Sequence, residues 1–298
     1  IMLCNECPRR CNIDRSITKG FCGMSDKVSV ARAALHMWEE PCISGEKGSG
    51  AVFFSGCNLR CVFCQNACIA RGMSGVEISV DRLSEIFLEL QEKGAVNINL
   101  VTPSHYVKEI VKALIMAKNN GLTIPVVYNT SSYELVDTLK SLEGLVDIYL
   151  PDFKYVDSSL AMRYSHANDY YEVACAALAE MHRQISTYSF DEHGIMTGGI
   201  IVRHLILPGH TADSKRVIKY IKDTYGDDVF ISIMNQYTPL PHVSEYPEIN
   251  RKVTKREYDN VVDYAIDIGV TNGFVQEGSA AEESFIPEFN GEGVKAGK

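Results

Sequence analysis

A strand–helix alternation, repeated six times, most narrows what this chain can fold into. Short apolar runs at 51–54, 96–102, 124–129, 146–150, 200–207 and 229–234 read as buried strands. Segments of helical period follow them at 81–94, 106–117, 133–142, 170–185, 215–225 and 255–268. In the first of these, Leu83, Ile86, Phe87 and Leu90 form one apolar stripe. Gly94, Gly121, Gly144, Gly226 and Gly269 stop five of the six helices. Short strands alternating with helices imply an α/β fold with a parallel sheet and right-handed crossovers. Six such units make a partial (β/α)6 TIM-like barrel, and Gly273-Phe274-Val275 adds a short apolar segment beyond them. The expected divisions are a Cys-rich N-terminal extension at 1–45, the barrel at 46–275 and a C-terminal tail at 276–298. Ser44–Gly50 is the joint between the first two, and 51–54 is expected to be the first strand.

A barrel of this kind holds its ligands where strands end and the following loops begin. Those points are polar here. They carry Thr102 to His105, Tyr128 to Ser132, Pro151 to Tyr155, Arg203-His204 and Asn235 to Pro239. Each strand thus brings hydrogen-bonding groups to one face, as a polar, charged cofactor requires.

The first strand runs into Cys57-Asn58-Leu59-Arg60-Cys61-Val62-Phe63-Cys64. Three thiolates on one short loop can hold three corners of a [4Fe–4S] cube. That leaves the fourth iron without a protein ligand, unlike the all-Cys ligation of electron-transfer ferredoxins. Cys68 follows closely, but a fourth ligand would close the open iron, so it reads as incidental. A second group, Cys4, Cys7, Cys11 and Cys22, sits among Pro, Gly and charged residues with little core of its own. Structural Zn²⁺, a second iron–sulfur cluster and plain reduced thiols all stay open for it. Cys42 and Cys175 read as small buried residues.

Ten cysteines in 298 residues, seven of them in two tight groups, point to metal or cluster ligation in a reducing, cytoplasmic setting. The start, Ile1-Met2-Leu3-Cys4, lacks the pattern of a secretory signal, and no apolar run approaches the roughly 18 residues of a membrane span. Lys+Arg 29 against Asp+Glu 38 gives a net charge of −9, which argues against nucleic acid or an anionic membrane as a partner.

Together these residues resemble the radical S-adenosylmethionine (SAM) superfamily. The cysteine loop looks like that of the pyruvate formate-lyase activating enzyme and its relatives. Asp152-Phe153-Lys154 is similar to the Asp-x-Lys of that group, and Val202-Arg203 leading to Pro208-Gly209 to its Ile-Arg…Pro-Gly. The likeness is strongest to a subgroup with an N-terminal CPRxC…GxCG, LHxWEEP and NINLVTPxH. Here these are Cys7–Cys11 with Gly20–Gly23, Leu35–Pro41 and Asn97–His105.

The resemblance implies a [4Fe–4S] cluster on Cys57, Cys61 and Cys64 that chelates SAM, with flavodoxin or ferredoxin as electron donor. It also implies reductive cleavage to a 5′-deoxyadenosyl radical and hydrogen-atom abstraction, as in activation of a glycyl radical enzyme. By position, Thr102 and Ser104 stand where the family's Gly-Gly-Glu contacts the SAM amino group, and that Glu is missing here. Asn129, Thr130 and Ser131 fall at the ribose contacts, and Asp152, Lys154 and Arg203 at the methionine end. Gln236 and Tyr237 fall near the adenosyl group, with Phe63 beside the adenine. Two other functions are set against the activase: radical chemistry on another peptide or a small molecule, and a non-enzymatic module with structural zinc. Simpler roles are weighed as well. Asp152–Lys154 reads as a surface pair worth under ~1 kcal/mol, His105 as a helix cap and His204 as a satisfied core histidine.

Overall fold

The computed structural model of the chain describes residues 3–275 and 287–295. Most of the expected tail, including Phe285 and Ile286, lies outside the described residues. In chain order the first half comprises β1 (Val28–His36), α1 (Pro41–Ser44), β2 (Ser49–Phe54), α2 (Ala67–Ala70), β3 (Val76–Ile78) and α3 (Val80–Glu92). Then come β4 (Ile98–Val101), α4 (Val107–Asn119), β5 (Val126–Thr130), α5 (Val136–Lys140) and β6 (Ile148–Pro151). The second half holds α6 (Ser158–Ser165), α7 (Tyr170–Gln184), β7 (Ser189–Phe190) and β8 (Met196–Leu205). It ends with α8 (Thr211–Tyr225), β9 (Phe230–Met234), α9 (Lys255–Asp267) and β10 (Gly273–Val275).

The described strands form one sheet in the order β10-β9-β8-β6-β5-β4-β2-β1-β3, with β7 added to β8. From β2 to β10 every neighbour is parallel and follows chain order. A sheet wound in one direction has no reversal point of the doubly wound kind, so its helices lie on one face and it curls into part of a barrel. Six of its strands are the expected ones, and the expected α/β partial barrel is the fold. Among the described residues no helix is long and apolar enough to cross a membrane.

The first strand, however, is β1 and not the expected 51–54. β1 pairs antiparallel with both β2 and β3, lying on the N-terminal side of residue 45 while hydrogen-bonded to strands beyond it. Its run Val-Ser-Val-Ala-Arg-Ala-Ala-Leu-His is rich in Ala, which sequence propensity does not favour in strands. Pairing with the fully buried β2 overrides that preference.

Local signals set the helices. In α3 the stripe of Leu83, Ile86, Phe87 and Leu90 is buried, and the Ser79 hydroxyl caps the first turn by accepting from Arg82 N at 3.1 Å. α9 starts with a reciprocal cap between Thr254 and Glu257. Against the helices, β5, β6 and β8 present Val126, Tyr128, Tyr149, Ile200 and Val202. On the other face, Val127, Ile148, Leu150, Met196 and Ile201 pack around Cys42 and Ile43. The segment after β1 therefore runs across the inside of the half barrel as a plug, with Asn97 Nδ2 donating to Ile43 O at 2.7 Å.

Candidate active site

At the end of β2 the chain enters the cysteine loop through Gly56, at φ +89°. A Cβ there would stand 2.3 Å from Met24 Cγ and 2.9 Å from both Cys22 O and His105 Nε2, so glycine is required twice over. His105 does not cap its helix. Its Nε2 donates to Ser55 O at 2.7 Å, and burial pushes the ring's pKa down to about 3, keeping it neutral. The loop is then tied to three other chain segments. Asn58 Nδ2 donates to Tyr133 O at 2.7 Å, Val62 N to Tyr164 O at 2.8 Å and Gln65 Nε2 to Gln236 O at 2.7 Å.

Each of the three thiols meets a donor. Leu59 N reaches Cys57 Sγ at 3.4 Å, Ser165 Oγ reaches Cys61 Sγ at 3.0 Å, and the Asn66 backbone N–H reaches Cys64. Burial pushes the Cys64 thiol up to about 12, with Cys61 and Cys57 adding to the effect. Burial also raises Cys61, with Lys154 opposing.

All three thiols line one cavity of about 470 Å³ at the ends of the parallel strands. Phe63, Thr102, Asn129, Thr130, Ser131, Asp152, Lys154, Arg203 and Gln236 share that lining. Ser104 and Tyr237 do not. Ser104 is buried with its hydroxyl donating to Glu134 at 2.5 Å, and Tyr237 OH donates to Ile249 O at 2.8 Å behind the Phe63 ring. Cys68 is exposed on α2 and Cys42 is buried in the plug. His204 is a core histidine, its Nδ1 donating to Phe153 O at 2.8 Å. The N-terminal cysteines are absent from the cavity lining, but their segment packs against the outer side of the loop. There Arg9 Nε donates to Asn58 O at 2.7 Å.

The charged part of the wall is a closed network. β6 and β8 meet at an Asp152–Arg203 bridge, which sets the two side chains abreast. Lys154 Nζ lies 2.7 Å and Arg203 Nε 2.9 Å from the two oxygens of Asp152. Arg203 also reaches Asn129 Oδ1 at 2.6 Å and Glu39 Oε2 at 3.1 Å. Burial opposes the Asp152 charge, yet Arg203 and Lys154 together hold its pKa below the usual carboxylate value. Asp152 and Lys154 side chains are only 20% and 15% exposed, so this is no surface pair. For Glu39 burial wins and its pKa rises, with Arg203 opposing.

Strain gathers here too. Arg60, Thr102, Ser132 and His166 all hold φ between 55° and 64° without being glycine, and all lie in or beside this site.

A profile of the radical SAM superfamily matches residues 51–221, more than half of the chain. The chain belongs to the radical SAM superfamily. An uncharacterized protein of Methanocaldococcus jannaschii is 29% identical over 272 residues, 88% of this chain and 74% of that protein. Among solved structures, Streptococcus suis SuiB bound to precursor peptide SuiA superposes with a TM-score of 0.51 at 15% identity. That match covers 75% of this chain and 47% of SuiB, so the chain spans about half the SuiB length. Methylornithine synthase, PylB, gives a TM-score of 0.50 at 12% identity over 76% of this chain and 72% of PylB. These likenesses agree with the partial barrel.

Radical SAM proteins use a [4Fe–4S] cluster and SAM, and SuiB has been solved with SAM bound. The residues present fit both groups. Three hydrogen-bonded thiols face a cavity within the roughly 300–1,000 Å³ usual for small-molecule sites, and its polar wall carries both charge signs.

Three participants were not picked out as site residues in the sequence. Glu39, from the Trp-Glu-Glu-Pro stretch, enters the cavity on the plug and accepts from Asn99 Nδ2 at 2.9 Å. Its signal was its place in the Leu35–Pro41 motif. Ser165, at the end of the unexpected α6, holds Cys61, and only Asp157 as an N-cap announced that helix. Glu134 is buried beneath Thr130 and gathers the hydroxyls of Ser104, Thr130 and Tyr128 on one oxygen. Burial lifts its pKa to about 7.

Proposed function

We propose that this radical SAM enzyme abstracts a hydrogen atom from a glycine of a partner glycyl radical enzyme, receiving its electron from flavodoxin or ferredoxin. The observation that carries the radical chemistry is the shared wall, since the three cysteines and the Asp152–Lys154–Arg203 set line one cavity. The glycyl target comes from the likeness of the Cys57–Cys64 loop and Asp152–Lys154 to the activating enzymes. Cluster and SAM, when bound, supply reductive cleavage to a 5′-deoxyadenosyl radical. Cys57, Cys61 and Cys64 would hold the cluster.

The chain's own part is orientation and exclusion of water. Asp152 faces both Lys154 and Arg203, and Glu39 and Glu40 also face Arg203, so the charged wall carries both signs. Both signs suit the zwitterionic methionine end of SAM better than a lone cation would. Three Arg203 nitrogens are engaged, by Asp152, Glu39 and Asn129, so it positions the wall. Lys154 keeps donors for a carboxylate. Thr102 and Ser104 offer no acid, and we assign the acidic role toward the SAM amino group to Glu39. Asn129, Thr130 and Ser131 serve the ribose, and Gln236 and Phe63 the adenosyl end. Ten cysteines, seven of them in two tight groups, are the reason to assign a reducing, cytoplasmic setting.

A second reading keeps the radical and changes its target to another peptide or a small molecule. It draws on the SuiB–SuiA complex and on PylB, and on the plug, whose Glu39 puts a charged group inside the barrel. A structural zinc module is disfavoured, because such a site is closed by four ligands rather than opened onto a cavity.

The test is anaerobic reconstitution, reduction and addition of SAM. 5′-Deoxyadenosine is expected, and its absence with an intact cluster overturns radical chemistry. A glycyl doublet in the EPR spectrum of an added glycyl radical enzyme supports the activase. Deoxyadenosine without that doublet across candidate partners supports the second reading.

A further inference from the structure

Four cysteines near the N-terminus take no part in lining the cavity, yet the chain is shaped around their sulfurs. Cys4 N donates to Ile13 O at 2.8 Å and Asn12 N to Cys4 O at 3.0 Å, closing a tight loop. Within it Arg10 and Asn12 adopt φ of 40° and 54°, conformations that non-glycine residues take at a cost. A second turn, closed by Gly23 N to Gly20 O at 2.9 Å, returns Cys22 to the first. A Cβ built on Gly20 would lie 3.4 Å from Cys11 Sγ and 3.6 Å from Cys22 Sγ, so these two sulfurs flank one backbone position. Cys7 lies within electrostatic reach of Cys11 and Cys22, and Cys22 of Cys4.

Every one of the four sulfurs also meets a donor. Phe21 N reaches Cys11 Sγ at 3.3 Å, the backbone N–H of Arg9 reaches Cys7, and that of Met24 reaches Cys22. The Arg15 guanidinium reaches Cys4. Thiols are weak acceptors, whereas metal-bound thiolates are tuned and oriented by N–H donors of this sort. Two of these backbone donors, Arg9 and Met24, stand two residues after the cysteine they serve, as Leu59 does for Cys57 in the catalytic loop.

Two kinds of metal group could use four thiolates, and the position of the set favours the one that carries electrons: Cys22 O and Met24 stand against Gly56, at the entry to the Cys57–Cys64 loop. Zinc needs its four sulfurs at about 2.3 Å from one point. A cube spreads them over separate irons.

We propose that Cys4, Cys7, Cys11 and Cys22 ligate a second iron–sulfur cluster, a [4Fe–4S] cube with all four irons held by protein. Its site abuts the catalytic loop. A Cβ on Gly56 would run into Cys22 O and Met24, and Phe21 packs under the guanidinium groups of Arg9 and Arg60 at 4.1 and 5.3 Å. With no open iron, this cluster binds no SAM.

The test counts iron, sulfide and zinc in anaerobically reconstituted full-length chain. About eight irons per chain are expected in the wild type and about four in the triple variant Cys57→Ala/Cys61→Ala/Cys64→Ala, which leaves the N-terminal set intact. In that variant the EPR signal of the reduced cluster should not change when SAM is added. The pair Cys4→Ser/Cys11→Ser, at half-buried positions, should also fall to about four irons while keeping a SAM-sensitive signal and a wild-type circular dichroism spectrum. Retention of no iron by the triple variant overturns the proposal, as does one zinc per chain that the Cys4/Cys11 pair removes. Because the triple variant lacks the catalytic cysteines, its iron count does not depend on the proposed function.

Discussion

Gly56 shows how little freedom the site allows a single residue. A side chain there meets Met24, Cys22 O and His105 at once, on a backbone that disfavours one. Gly56→Ala is expected to cost more than about 2 kcal/mol and to leave the loop unable to keep its iron, as read by denaturant unfolding and iron content. Glu39 is the second such residue. Glu39→Leu leaves one Arg203 nitrogen and Asn99 Nδ2 without their acceptor while Asp152 still pairs the guanidinium, a loss of roughly 1–3 kcal/mol. Glu39→Gln keeps the Asn99 bond, so it should fold while binding SAM about tenfold more weakly, as titration calorimetry would report. Glu134 gives a pH signature. Its folded pKa, about 7, lies above its ordinary 4.5, so the folded state holds a proton that the unfolded state has released between these values. Stability contributed by this group is complete below about 4.5 and declines through about 7, by a total of about 3 kcal/mol. Glu134→Gln should flatten that slope in unfolding midpoints measured from pH 4.5 to 7.5. An unchanged slope would assign it to another group.

At the scale of elements, α6 is the piece that turns a cysteine loop into a fixed site. Its last turn supplies Tyr164 O to Val62, Ser165 Oγ to Cys61 and the Ser165 and His166 carbonyls to Arg9. Ser165→Ala should cost about 1–3 kcal/mol, because it also strands the buried Tyr155 OH, and shift the redox potential of the reconstituted cluster, since it deletes a hydrogen bond to Cys61 Sγ. A potential identical to wild type would deny the hydroxyl that role. α9 offers a simpler check, because its cap is local and lies away from the cavity. Thr254→Ala should cost about 1 kcal/mol in urea unfolding and leave SAM affinity unchanged. The longer helices were readable because apolar stripe, cap and glycine stop agree, as in α3. β1 and α6 were not. β1 is a strand by virtue of its neighbours, and α6 has eight residues, too few for its period to stand out.

For the whole molecule the decisive arrangement is a half barrel with its inner face partly filled by its own chain. Winding in one direction brings the C-terminal ends of β2, β4, β5, β6, β8 and β9 to one rim, and the cavity lies there. The segment from Met37 to Ser44 runs beneath them, with Cys42 and Ile43 packed on the strands and Glu39 turned into the cavity. The alternation of period, the glycine stops and the three-cysteine spacing are local properties, so the sequence by itself determined the α/β class, six of the strands and the place of the three-cysteine loop after the first of them. Which polar residues face the cavity is set by contacts between segments far apart in the chain. Arg203 bonds Glu39 from 164 positions away, and Ser104, although next to the rim, turns inward to Glu134. No spacing rule carries that information. Burial and pairing of charge, which exist only once the strands are side by side, decided it.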